Sequence, residues 1–462
     1  MSSRLCCAAE ARKEIPVRSR AVWAVFCRGF IVGVGCLAME SPARAERVLT
    51  LEAAVQAALR AHPSVALAQA QNEAQGARVG EAFAGYLPSV GYNFNYTRRT
   101  ANCVNQPASF PCDSVPRPNA AYETFNFWSA GVSVVQPLWD FGRTSNAHEA
   151  AKLGARATLA QVRASRFQVA LETKLAFFNV LAQARLVLVN REALRQQREH
   201  LAQAEGFVRV GTRTRIDAAQ AEAEVANAEL AVLRAENAER QAKVALLGAM
   251  GEPSSSDAFR LAAPAPKGLA EEAMPVADLA RRAVASRPDL HALEREAQRQ
   301  EANIRVARAG YWPQLALQVG PTFAGTDLPG LSTNFAATVT LTVPGGGFNP
   351  YFTRQQVAEF HANARAARAL ATRLRNEIHV ELQQARLALD TAKRVVVATV
   401  RVIEAASERL SLADGRYRAG AGTMLELSDA QLAVNSARAS RVQAAYDVEV
   451  ARAQLARAVG LD

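Results

Sequence analysis

Proline is missing from two long stretches of this 462-residue chain, between Pro137 and Pro253 and from Pro350 to the C-terminus. Proline breaks helix interiors, so both stretches are free to run as helix, and their apolar residues recur at helical spacing, interrupted near Gly211 and Gly420. Aromatic residues make up 6% of the chain although half of it is apolar, and Ala, Leu and Val dominate that half. This is the mix of long packed helices and argues against a β-sandwich or a compact enzyme. After residue 45 no apolar run approaches the roughly 20 residues of a spanning helix, so any crossing of a membrane has to be made by strands. A Gly-x-x-x-x-Gly-Lys loop is absent, and energy for transport would come from a partner. His148-Glu149 lacks a second His one turn on, the six His are scattered, and no Gly-x-Ser-x-Gly elbow occurs. The sequence therefore assigns no catalytic residue, no cofactor and no metal site. The net charge of +11 is spread as Arg among Ala, Glu and Gln, without clusters or interleaved aromatics. That pattern describes solvated helix faces and gives no nucleic-acid partner.

The first 45 residues differ in kind. Arg4, Arg12, Lys13, Arg18, Arg20 and Arg28 precede the apolar run Gly29 to Met39, and Ala43-Arg44-Ala45 follows. A basic start, a short apolar run and a small-x-small site read as a secretory signal cleaved after Ala45. Four of the six cysteines would leave with it. Cys103 and Cys112 remain, close together in a Pro- and Asn-rich segment, where an oxidising compartment favours a loop disulfide over two unpaired thiols.

What is present is duplicated. Ala54 to Leu59 and His62-Pro63 correspond to Leu279 to Val284 and Arg287-Pro288, and Gly85-Tyr86-Leu87-Pro88 to Gly310-Tyr311-Trp312-Pro313, at an offset of 225. Further on, Glu172 matches Glu381, Gly211 matches Gly420 and Gly251 matches Gly460, at an offset of 209. The first half thus carries about sixteen extra residues, in the segment of Cys103 and Cys112. The expected plan is a first repeat over 46–251, a linker over 252–275 and a second repeat over 276–462. Long helices are expected near 143–207 and 216–249, then near 354–416 and 424–459. A helix over 143–207 would be about 95 Å long and has to pair laterally with others of its kind.

Each repeat also holds two alternating stretches, expected as strands near 87–97, 124–136, 313–321 and 333–343. Val90, Tyr92, Phe94 and Tyr96 face one way and Gly91, Asn93 and Asn95 the other; Phe335, Ala337, Val339, Leu341 and Val343 alternate with Thr338, Thr340 and Thr342. About ten residues of tilted strand cross a bilayer, but four strands cannot close a barrel alone, so several chains would contribute. Ordinary soluble hairpins are the other reading of the strands taken by themselves.

Together these features resemble the TolC-type outer-membrane efflux proteins. The residues that carry the likeness are Leu49-Thr50-Leu51-Glu52-Ala53-Ala54 with His62-Pro63, Gly85-Tyr86-Leu87-Pro88, Gln136-Pro137-Leu138-Trp139-Asp140, and the turns Val208-Arg209-Val210-Gly211-Thr212 and Tyr417-Arg418-Ala419-Gly420. The resemblance implies a mainly α fold with β. In it a homotrimer closes one outer-membrane β-barrel, four strands per protomer, and continues it as a periplasmic α-helical barrel. It further implies an exit duct for tripartite efflux or type I secretion, working with a periplasmic adaptor and an inner-membrane transporter of the RND or ABC type, with lipid around the barrel. A non-conducting periplasmic coiled-coil tether is the rival reading; it has no need of the strands or the paired Gly turns. By the same resemblance the turns form the periplasmic tip. There Asp217 and Tyr417 align with groups that hold the tip shut, and Glu426 and Asp429 with acidic residues that narrow it, filter cations and offer divalent ions a site. The plainer role for Glu426 and Asp429 is to complement the dipole of their helix. Gly422 stands where the family has an Arg, and Arg213, in the first turn, is a candidate substitute through Glu426.

Overall fold

The computed structural model describes residues 47–100, 124–253, 259–265, 268–328, 330–343 and 350–461. The expected secretory signal and the expected Cys103–Cys112 disulfide lie outside the described residues. The chain opens with β1 (Arg47–Leu49), α1 (Leu51–Ala61) and α2 (Pro63–Ala84), then β2 (Ser89–Thr100), β3 (Thr124–Trp139), α3 (Arg143–Arg209) and α4 (Arg215–Ala249). After β4 (Phe259–Leu261) and a 3-10 turn at Ala270–Ala273, the plan repeats. It runs through α5 (Val276–Ser286), α6 (Pro288–Ala309), β5 (Gln314–Gly325), β6 (Ser332–Thr342), α7 (Pro350–Arg418) and α8 (Met424–Val459). The 67 residues of α3 and the 69 of α7 each extend roughly 100 Å at 1.5 Å per residue. α7 starts at Pro350, four residues before the sequence suggests, because the first helical position needs no N–H and suits proline's fixed φ.

Within each repeat, α1 and α2 pack on α3, and α5 and α6 on α7, while α3 lies against α6 and α8 of the other half. The core is correspondingly divided. Leu49, Ala54, Ala58, Phe177, Phe178, Leu246, Met250 and Phe259 form one cluster. Leu279, Ala283, Ile378, Leu382, Leu389, Leu455 and Ala458 form its counterpart. Small Ala side chains along these seams let the helix axes approach closely, as lateral pairing of such long helices requires.

Between the repeats the structure holds more than a turn. β4 pairs in parallel with β1, Arg47 opposite Phe259 and Leu49 opposite Leu261. The 3-10 turn is pinned through Glu272, which accepts from the Leu269 N–H at 3.0 Å, from Arg452 at 2.9 Å and from Lys393. Burial pushes the Glu272 carboxyl upward, but the Leu269 N–H, Lys393 and Arg452 outweigh it and hold the group at about 2.

The four long strands form one antiparallel sheet in the order β2-β3-β5-β6. Its register gathers the apolar side chains on one face: Tyr96 opposite Trp128, Phe94 opposite Ala130, Ala130 opposite Phe323, Val134 opposite Val319, Leu317 opposite Val339 and Leu315 opposite Leu341. The other face carries Asn93, Gly131, Thr322 and Asn334 in one row and Gln318 with Thr338 in another. Gly320 is required where β3 and β5 approach, since a Cβ there would lie 1.9 Å from the Val132 carbonyl oxygen.

Candidate functional site

Two regions could carry function, and the first is the sheet. An antiparallel sheet with one apolar face normally packs that face on a core. Here Val90, Tyr92, Phe94, Phe335, Val339 and Leu341 are all exposed, Tyr92 at 91%. An uncovered apolar face on strands of 11 to 16 residues matches the length and chemistry of a bilayer-crossing sheet. Aromatic rings gather where the sheet gives way to helix. Trp139 meets Phe141 at 5.9 Å, Phe141 stacks on Trp312 at 5.1 Å, and Phe83 meets Tyr86 at 5.8 Å. Such amphipathic rings belong at a membrane–water boundary. The strand-to-helix turn is held by Asp140, whose carboxylate accepts from the N–H groups of Gly142 at 3.1 Å and Thr144 at 2.7 Å and so caps α3.

The second region is the far end of the helices, where α3 reverses into α4 and α7 into α8. Both turns use one backbone solution. Gly211 and Gly420 have φ of 77° and 78°, a region that costs any L side chain. The N–H of Thr212 reaches the Phe207 carbonyl at 3.0 Å, and that of Ala421 the Arg416 carbonyl at 2.9 Å, closing each helix in a Schellman end. Each following helix starts on a threonine cap. The Asp217 carboxylate accepts from the N–H of Thr214 at 3.3 Å and its hydroxyl at 3.2 Å, while the Thr423 hydroxyl accepts from the Glu426 N–H at 3.2 Å.

Arg213 joins the two turns. Its Nη2 donates to the carbonyls of Tyr417 and Gly422, each at 2.9 Å, and its guanidinium lies 4.7 Å from the Tyr417 ring centroid. One cation thereby satisfies carbonyls at the exit of α7, where the helix dipole is negative. Tyr417 is 1% exposed, in a cluster with Ala204, Ala221, Ala413, Met424, Leu427 and Ala430. Its hydroxyl finds no hydrogen-bond partner among the described residues. Burial raises the Tyr417 pKa, the charge of Asp217 adds to the rise, and Arg213 opposes it.

The expected partnership of Arg213 with Glu426 does not form within the chain. Arg213 is drawn to the two carbonyls, and Glu426 pairs instead with Arg416 at 3.1 Å. Gly422 gains a role from this: a Cβ there would press on the Tyr417 N at 3.1 Å, and its bare carbonyl is one of the two that Arg213 takes. Asp217 is spent on its own helix start, and Asp429 is exposed in the second turn of α8. The structure therefore brings Arg213, Tyr417, Gly420 and Gly422 together, and keeps Glu426 and Asp429 on a separate face. A latch made through main-chain oxygens leaves no mark in the sequence beyond Arg213 opposite Gly422 at the repeat offset.

Among the described residues no group of His, Cys, Asp and Glu could hold a metal, and no helix is long and apolar enough to cross a membrane. An apolar-faced sheet prolonged by helices of about 100 Å whose end turns are joined defines a membrane channel subunit with long extramembrane helices. The chain belongs to the outer membrane efflux protein family, whose pattern it matches over residues 54–252 and 279–461. It is an outer-membrane efflux channel that extends into the periplasm. Outer membrane protein OprJ of Pseudomonas aeruginosa is 24% identical over 372 residues, covering 78% of this chain and 74% of that protein. Two solved structures share the fold. A membrane protein from Pseudomonas aeruginosa is 23% identical with a TM-score of 0.77, over 89% of this chain and 90% of that one. The CmeC outer membrane channel of Campylobacter jejuni is 19% identical with a TM-score of 0.76, over 89% and 85%.

Proposed function

We propose that three copies of this chain close one twelve-stranded barrel and act as a passive exit duct. A periplasmic adaptor docks at the tips, and an inner-membrane transporter supplies substrate and energy; the chain itself catalyses nothing. The observation that carries this reading is the sheet. β2 and β6 are its two edges, and long apolar edge strands left unpaired are an aggregation hazard that closure with neighbouring copies removes. A tether without conduction needs neither that sheet nor the aromatic rings at its base. At the other end, the turns at Gly211 and Gly420 form the entrance. Arg213 supports the resting closure by joining the two turns of one protomer, with Asp217 and Tyr417 shaping those turns. Glu426 and Asp429, repeated three times, line the approach and favour cations. Glu426 is partly neutralised by Arg416, so Asp429 carries the larger share.

The test is conductance in planar bilayers, with the protein first recovered from outer membranes as a detergent-resistant trimer. Arg213→Ala frees two carbonyls and unties the turns, and single-channel conductance rises. Tyr417→Phe removes a hydroxyl that has no partner among the described residues and changes conductance little. A monomer that extracts with alkali sinks the duct reading altogether. Unaltered conductance in Arg213→Ala sinks the latch alone.

A further inference from the structure

Some arginines of the long helices are matched to a carboxylate and others are not. Arg191 pairs with Glu236, Arg299 with Glu296, Arg368 with Glu301 and Arg375 with Glu294. A groove of about 510 Å³ between α3 and α6 gathers arginines of the unmatched kind from both helices. Its cationic lining comes from Arg156 and Arg163 on α3 and from Arg295 on α6, with His291 beside them. The spacing aims them together. On α3, residues 156, 160, 163 and 167 follow the i, i+4, i+7, i+11 row of one helix face, and on α6, residues 288, 291 and 295 follow i, i+3, i+7. No carboxylate pairs with Arg156, Arg163 or Arg295 among the described residues; Arg295 donates to the amide oxygen of Gln298 at 2.9 Å. His291 is tied down, its Nε2 at 3.0 Å from the Ala285 carbonyl and its Nδ1 at 3.5 Å from Glu294. Leu159, Ala160, Phe167 and Pro288 supply an apolar floor.

Three guanidiniums around one groove repel each other, and the duplicated plan does not require two of them. The repeat makes this plain. At the offsets of 209 and 225, Arg163 and Arg295 correspond to Thr372 and Ala70, so the duplicated backbone is built without those two charges, while Arg156 corresponds to Arg365. The groove also stands clear of the sheet. Arg156 and Arg163 lie roughly 20 and 30 Å along α3 from its first residue, beyond the reach of headgroups at the strand ends.

We propose that this groove is an oxyanion-binding site for a ligand bearing two or more carboxylate or phosphate groups on an apolar body. Guanidinium forks suit that chemistry because each presents paired donors to two oxygens. The site is distinct from the tips and from the lipid-facing strands, and it stands whether or not the duct reading does. Citrate and pyrophosphate are the probes, titrated by calorimetry at low salt into the full protein in neutral detergent, with nanodiscs of phosphatidylglycerol as a separate arm. The expected result is saturable binding of a soluble probe at one site per chain. Joint Arg163→Gln and Arg295→Gln substitution weakens it at least tenfold, whereas Arg365→Gln, the counterpart of Arg156 in the other repeat, leaves it unchanged. The proposal is overturned if neither soluble probe saturates, if the double variant binds as well as the parent while keeping its helical circular dichroism, or if binding appears with the anionic lipid alone.

Discussion

The elbow at His62 and the elbow at Arg287 hold the same place in the two repeats, each between a short helix and the longer one that follows it. Their main chains agree: the N–H of His62 reaches the Ala58 carbonyl at 2.9 Å, and that of Arg287 the Ala283 carbonyl at 2.9 Å. Each elbow is pressed by the glycine that ends its own repeat, Gly251 at φ 77° and Gly460 at φ 83°. Their side-chain chemistry is opposite. His62 accepts the Ser64 N–H on a ring nitrogen at 3.2 Å. Arg287, whose side chain is 4% exposed, holds Asp289 at 2.6 Å and Glu381, and Glu381 also holds Arg457. The counterpart of Arg457 is Gly248, and Glu172, the counterpart of Glu381, is bonded by Gln168 at 2.8 Å. A duplicated backbone closes by its own hydrogen bonds with either solution. Once a guanidinium is buried, however, its acidic partners become obligatory, since an unpaired buried charge costs far more than the pair contributes.

Replacing partners at the two elbows should break this comparison most visibly. Glu381→Ala strips Arg287 of one carboxylate and leaves it Asp289, and unfolding in urea should register a loss of about 1.5 to 3 kcal/mol. His62→Ala removes one cap, worth about 1 kcal/mol. Equal losses would mean that the ion network is ornamental. Glycine substitutions come next. Gly251→Ala combines a left-handed φ with a Cβ 2.8 Å from the His62 Cα, and overpacking of this kind adds about 1 to 3 kcal/mol to the backbone cost. Gly211→Ala meets nothing within 4 Å and bears the backbone cost alone, about 1 kcal/mol.

Acid sharpens the contrast further. Burial raises the Asp289 pKa, but Arg287 more than reverses it, and Glu272 is held at about 2. Carboxyls depressed on folding contribute stability above their unfolded values, near 4, and lose it as pH falls through the folded values. Hydrogen exchange between pH 4.5 and 2 should therefore loosen α5, α7 and α8 before α1 and α4, and Glu272→Gln should flatten part of that dependence. The smallest effect belongs to the tips, read as reversal potential: Asp429→Asn should lower cation preference slightly more than Glu426→Gln. The reverse order would place Arg416 elsewhere in the assembled channel.

Much of the architecture is legible in residue order because its signals are local. Proline-free stretches allow helices, period-two alternation along Val90 to Tyr96 marks a strand, and Gly211 and Gly420 mark reversals. What escaped depends on partners far along the chain. β1 and β4 are three residues each, too short to show a period, and pair across 212 positions. Arg287 needs Glu381, 94 residues on, and a repeat that replaces His with Arg before an equivalent proline was the available hint. Arg213 is bonded to carbonyl oxygens, which every residue type carries, so composition cannot announce them.

Local residue order is enough to make this a duplicated, mainly helical chain with bilayer-length strands, since periodicity and breakers act over a few residues and need no partner. Tertiary structure alone decided that the strands share one exposed apolar face, because that depends on register. It also decided that Arg213 ties two turns through main-chain oxygens, that Arg287 lies buried among carboxylates, and that unpaired arginines from α3 and α6 meet in one groove. Each of these is a distance between residues that the linear order keeps far apart.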